Sequence, residues 1–228
     1  GHGYVDLHKA LIHSCDVYFY TIGQRMGIDM MAEYATDFGL GHETGIELPS
    51  ERVGSIPSTA WKLKVKKEPW LPGETISAAI GQGYVTVTPL QMASMIGTVA
   101  NDGVSYRPRL VQAIMDRTTG NLQEMPAVAR GKAHAKPETF RIIKEALAAV
   151  VTEGTATRAK SALVTIGGKT GTAQVAALGK EKKAEKDIPK KFRDHAWFVA
   201  FAPVDSPKIA VAVLAEHMGH GGSAAAPL

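Results

Sequence analysis

Apolar residues recur at three- and four-residue spacings over residues 5–13 and again over residues 17–26, the period of amphipathic helices. Between them stand Ser14, Cys15 and Asp16, and Ser and Asp are poor helix-interior residues but good caps, so two helices are expected to meet at a short break. A third helix is predicted over residues 29–38, closed by Gly39-Leu40-Gly41. From residue 45 to 74 the period is lost. Pro49, Pro57, Pro69 and Pro72 interrupt it and lysines alternate with apolar residues, which predicts a long surface excursion with helical fragments. Thr88-Pro89 then opens an apolar helix to about Ala100, and residues 106–115 read as a strand leading into a hairpin-like turn at 116–121. Residues 137–151 carry Phe140, Ile143, Leu147 and Val151 along one helical side, and Gly154-Thr155 ends that run. Three strands follow, at residues 168–176, 195–202 and 209–215. The last is almost continuously apolar, as for a strand covered on both faces. Helices first and adjacent strands afterwards imply an α+β fold with an antiparallel sheet.

Composition narrows this picture. A chain of 228 residues, 45% hydrophobic and 21% charged, is long enough for a sizeable core in one large domain or two small ones. The net charge of 26 − 22 = +4 is concentrated in residues 180–194, which hold seven Lys/Arg and four Asp/Glu. That run reads as a solvated loop between two strands, and the basic balance does not argue for a nucleic-acid partner. A single cysteine, Cys15, excludes an internal disulfide and a Cys-based zinc cluster, and reads as a small buried hydrophobe.

Candidate chemistry starts at Gly168-Lys169-Thr170. A phosphate-binding loop would need Gly five residues before Gly168, where Leu163 stands, and helix after it, where the pattern predicts strand. Gly81-Gln82-Gly83 has Thr86 in place of the third glycine of a dinucleotide motif, and Gln82 and Tyr84 read as turn and packing residues. His217 and His220 fall beside glycines without helical spacing, which disfavours a metal site. Lys169-Thr170-Gly171-Thr172 remains. On a strand it offers a cation at a groove, two hydroxyls suited to a carboxylate, and a glycine where a ligand backbone approaches closely. Ser14 and Asp16 at the helix break supply a hydroxyl and a second polar group for the same kind of cleft.

K-T-G paired with an upstream Ser motif is a signature of serine β-lactamases and penicillin-binding proteins. The ordered set Gly1-His2-Gly3, Ser14-Cys15-Asp16-Val17-Tyr18-Phe19-Tyr20, Ile80-Gly81-Gln82-Gly83-Tyr84, Thr88-Pro89-Leu90-Gln91-Met92, Gly154-Thr155-Ala156, Lys169-Thr170-Gly171-Thr172-Ala173-Gln174 and Arg193-Asp194-His195 resembles class B penicillin-binding proteins of the elongation type over essentially the whole chain. The resemblance implies a penicillin-binding-protein/serine β-lactamase-like transpeptidase fold, with an antiparallel sheet packed against helices. It makes residues 1–228 a portion of one such domain. It also implies acyl transfer: a Ser attacks the D-Ala-D-Ala bond of a peptidoglycan stem peptide, D-Ala leaves, and an amine from a neighbouring stem takes the acyl group. By position, Ser14 would relay protons with Asp16 beside it, and Lys169 would favour the alkoxide. Thr170 and Thr172 would hold the substrate carboxylate, the Thr172 N–H would be an oxyanion donor, and Gly171 would admit the substrate as an added strand.

One departure stands out. None of the ten serines is followed by Lys at the third position, so the family's nucleophile motif S-x-x-K is expected upstream of residue 1, and the chain is expected to be cut at both ends. Asp16 stands where many relatives carry Asn. The resemblance implies no cofactor. It implies β-lactams as ligands of the parent, cell-elongation membrane proteins as partners, no nucleic acid, and a place on the periplasmic face of the bacterial inner membrane. A non-catalytic sensor or scaffold on the same fold, or a β-lactamase or D,D-carboxypeptidase relative, stays open. A scaffold has no need of Lys169, two Thr and Gly171 together, and the long excursion at 45–74 fits a polymer substrate better than a β-lactamase.

Overall fold

The computed structural model describes residues 2–175 and 188–228. Three helices open the chain: α1 (Leu7–Ile12), α2 (Asp16–Met26) and α3 (Ile28–Asp37). Asp6 caps the first, its carboxylate accepting the Lys9 N–H at 2.8 Å. After α4 (Thr59–Lys66) and α5 (Pro72–Ala78) comes α6 (Pro89–Ala100), which starts in a capping box. Thr88 Oγ1 accepts the Gln91 N–H, and Gln91 Oε1 accepts the Thr88 N–H. The buried Gln91 carboxamide also donates to the carbonyls of His42 and Val53, so this cap ties the preceding loop to the helix.

The strand expected at 106–115 is divided. β1 (Val104–Tyr106) ends before Pro108, which has no N–H for a ladder, and β2 (Ala113–Met115) starts beyond it. The turn expected at 116–121 does join β2 to β3 (Leu122–Glu124), while β1 pairs with β4 (Ala129–Lys132), a strand the sequence pattern had not indicated. α7 (Pro137–Thr152) follows as expected. Then β5 (Gly167–Ala173), β6 (His195–Ala202) and β7 (Ile209–Ala215) form an antiparallel sheet in chain order, and a short α8 (Gly221–Ala224) closes the chain. Most of the charged loop expected at 180–193 lies outside the described residues; its end is a 3-10 turn at Lys190–Phe192.

Alternate residues of β6 enter two different clusters, as strand geometry requires. Ala196, Phe198 and Ala200 pack with Val150, Val151, Ala225 and Ala226. Val199 and Phe201 pack with Ile96, Val99, Ala100 and Leu147. The central strand is thus covered on both faces. β7 is covered on both faces only over its second half, where Val213 and Ala215 pack against the first cluster and Ala212 against the second, while Ile209, Ala210 and Val211 are exposed. β7 lies at one edge of the described sheet, and at the other lies β5, the K-T-G strand.

The excursion at 45–74 is also more deeply built than its sequence suggests. The Lys62 side chain on α4 is only 1% exposed, its ammonium 2.5 Å from Glu74 Oε1 and 5.9 Å from the centroids of both Trp70 and Tyr84. Glu74 Oε2 accepts the Leu71 N–H at 2.8 Å, which fixes the start of α5. The Lys62 hydrogen bond holds the Glu74 carboxyl below its ordinary range. A carboxyl with a depressed folded pKa contributes stability above its unfolded pKa and loses it as pH falls through the folded value. Glu74→Gln should therefore lower the melting temperature at neutral pH and lose less of it on acidification than the wild type. Thermal melts between about pH 6 and pH 3 check this.

Candidate active site

α1 ends in a Schellman turn. The Cys15 N–H donates to the Ala10 carbonyl at 2.9 Å and the Ser14 N–H to the Leu11 carbonyl at 3.3 Å. Ser14 occupies the left-handed position of that turn, with φ +49°, where glycine is the usual residue. It is therefore not the N-cap of α2. Cys15 takes the cap position of α2 and is buried. A non-glycine residue held in this conformation stores strain, and such strain collects where a side chain is needed in one place. Ser14→Gly should raise stability by up to about 1 kcal/mol, relieving the left-handed backbone while removing the hydroxyl. Denaturant unfolding measures that gain.

The Ser14 hydroxyl meets β5. Lys169 Nζ donates to Ser14 Oγ and, at 3.1 Å, to the Thr170 carbonyl. Burial lowers the Lys169 pKa from its ordinary 10.5 to about 8, and the nearby Asp16 carboxylate offsets part of that fall. At neutral pH the ammonium is therefore retained, but poorly solvated. Asp16 sits in the first turn of α2, exposed at the rim of the same cleft.

Thr170 is fixed from a third side. Gly154 lies so close to the end of α1 that an added Cβ would stand 2.5 Å from the Ile12 carbonyl oxygen. This contact lets the Thr155 N–H donate to that carbonyl at 3.2 Å. The Thr155 hydroxyl then lies 2.8 Å from the Thr170 hydroxyl. Beside Thr155, α8 begins against the same strand, and a Cβ on Gly221 would lie 2.4 Å from the Gly171 carbonyl oxygen. The result is a cleft of about 780 Å³, lined by Ser14, Asp16, Lys169, Thr170, Gly171 and Thr172 among others. All six residues singled out in the sequence thus meet at one place.

The carbonyls of Thr170 and Thr172 accept from Lys169 Nζ and from Gln82 Nε2. Alternate backbone groups of an antiparallel strand face opposite edges, so Thr170 and Thr172 turn their N–H and C=O outward along the open edge of β5. Gln82 was read from sequence as a turn residue. It is one, but it also lines the cleft. The available signal was its place between two glycines, Gly81 at φ +75° and Gly83 at φ +70°, a turn that projects the side chain between them. Thr155 stood in the Gly154-Thr155-Ala156 motif, but nothing in composition or spacing gave it a role in the cleft. No group of three or more His, Cys, Asp or Glu placed to hold a metal occurs among the described residues.

The penicillin binding protein transpeptidase domain matches residues 1–228. The chain belongs to that family. Among penicillin-binding relatives, the peptidoglycan D,D-transpeptidase MrdA of Acinetobacter baumannii is 41% identical over 226 residues, covering 99% of this chain and 34% of that protein. The solved penicillin-binding protein PBP2 of Pseudomonas aeruginosa, in complex with WCK 5153, superposes with a TM-score of 0.82 at 35% identity over 100% of this chain and 46% of that one. PBP2 of Helicobacter pylori, solved in a complex with MreC, gives a TM-score of 0.80 at 32% identity over 95% and 37%. The chain therefore spans about a third of the length of the curated relatives it matches.

Proposed function

We propose that this chain supplies the cleft of a serine peptidoglycan D,D-transpeptidase, which cross-links stem peptides through an acyl-enzyme. The observation that carries the reading is the convergence of Ser14, on a strained turn, with the partly desolvated Lys169 at the open edge of β5. A D-Ala-D-Ala stem lies along β5 as an added strand, and Gly171 offers no side chain to obstruct it. The Thr172 N–H receives the oxyanion, a kind of contact worth about 2.7–4 kcal/mol in other enzymes. The Thr170 and Thr172 hydroxyls hold the terminal carboxylate. Lys169 stabilises negative charge on the attacking oxygen, and the Ser14 hydroxyl passes a proton between that oxygen and the leaving amine, with Asp16 polarising the same rim.

No serine of this sequence is followed by Lys at the third position, so the nucleophile is proposed to come from residues of the protein preceding these 228. A role in cell elongation at the periplasmic face of the inner membrane is part of this proposal, and the similarity to a PBP2 solved in complex with MreC supports partner proteins for it. No helix among the described residues is long and apolar enough to cross a membrane. The test is intact-mass spectrometry after incubation with a penicillin. A chain extended upstream to the length of its relatives should gain one acyl adduct, and the 228-residue chain alone should gain none. An extended chain that stays unmodified would overturn the reading.

A further inference from the structure

The Thr172 carbonyl, the acceptor that the β5 edge offers to an added strand, is already taken. Gln82 Nε2 donates to it at 2.7 Å from a turn 90 residues earlier in the chain. That turn is fixed at its base: the Gln82 N–H donates to the Ser77 carbonyl at 2.9 Å, directly after α5. The carboxamide reaches the strand on two methylenes, so a change of side-chain rotamer can take it off the carbonyl without movement of the turn.

An antiparallel strand added to β5 would bond both outward groups of Thr172, its N–H and its C=O. The C=O half of that pair is what Gln82 occupies. We propose that Gln82 is an exchangeable plug on the β5 edge, displaced when a ligand presents a backbone N–H to the Thr172 carbonyl. Gln82 is thereby a specificity-determining residue. A ligand with that N–H replaces the bond it breaks, whereas a ligand without it must bind beside the plug or leave a carbonyl in the cleft unpaired. This competition rests on the transpeptidase reading above and adds to it a device by which Gln82 lowers the advantage of amide-bearing acyl donors over donors that lack the amide.

The experiment uses the upstream-extended chain, with Gln82→Ala and Gln82→Met, and two β-lactams. One is a penicillin with an acylamino side chain on the lactam ring; the other is a carbapenem with a hydroxyethyl group in that place. The readout is the ratio of their second-order acylation rate constants. Both substitutions remove the competing donor, and Met keeps the side-chain length. The ratio should rise by about threefold to tenfold in both variants, the worth of one net neutral hydrogen bond. A ratio equal to that of the wild type, whether both rates fall together or neither moves, would make Gln82 a structural support and overturn the assignment. Loss of folding in both variants would overturn it as well. A wild-type chain acylated by neither compound would instead remove the transpeptidase reading on which the proposal stands.

Discussion

Lys169→Ala in the upstream-extended chain should slow acylation by at least about a hundredfold, equivalent to roughly 2.7 kcal/mol of transition-state stabilisation. The ammonium reaches Ser14 Oγ from within a partly buried strand, so on the proposed mechanism its field would act on developing charge with little screening. Lys169→Arg should recover only part of the rate, because a planar guanidinium cannot take the compact position of an ammonium. The same substitution to alanine should raise the melting temperature at pH 7. A lysine at a solvated strand edge would leave it nearly unchanged, but this one is desolvated, and its pKa falls from 10.5 to about 8. Below about pH 8 both folded and unfolded chains hold the proton, and the folded state bears the full desolvation penalty. Between about 8 and 10.5 the unfolded chain binds more protons than the folded one, so stability rises with pH across that window. The wild type should show this rise and Lys169→Ala should not. Acylation rates with a fluorescent penicillin, paired with melts from pH 7 to pH 10 or so, separate catalysis from stability. Near-wild-type acylation by the alanine variant would take β5 out of the reacting centre.

Gly221→Ala should destabilise the fold by about 3 kcal/mol, at the upper end for overpacking. The added Cβ would stand 2.3 Å from the Trp197 carbonyl oxygen and 2.4 Å from that of Gly171. Both are backbone atoms of the sheet, so no rotamer change relieves the clash. α8 must lift from β5 and β6, and the K-T-G strand loses the support that α8 gives it beside Thr155. For a domain of this size a loss of about 3 kcal/mol lowers the melting temperature by roughly 6–12 °C. Acylation should fall with it even at temperatures where the variant stays folded. Gly131→Ala is the control, since no heavy atom lies within 4 Å of a Cβ built there and no unusual φ is involved. Its melting temperature should stay within the shift expected of about 0.5 kcal/mol.

Local chemistry made much of this protein legible. The period of apolar residues marks α1, α2, α3 and α7. Thr88-Pro89 marks the start of α6, and the alternation through residues 195–202 marks β6 to the residue. These signals operate within one or two turns of chain, where capping and side-chain periodicity act. The failures have the same explanation. Pro108 divides a run that looked continuous, and β4 carries Arg130, Gly131 and Lys132, with no pattern of its own until β1 pairs with it. The apolar run of β7 says nothing about whether a neighbour covers it.

By itself the sequence determined the family, the α+β order of elements and six of the residues that line the cleft, because each is written in short motifs. Tertiary structure alone decided what those residues experience. Ser14 and Lys169 are separated by 155 positions, and Gln82 and Thr172 by 90. No local pattern encodes such pairings, which follow from helices and strands stacking into shared cores. Packing likewise buries Lys62, removes solvent from Lys169 and places Ser14 in the left-handed position of a Schellman turn. Desolvation and backbone strain belong to the assembled surroundings of a residue and not to its identity, so only the folded chain shows where they fall.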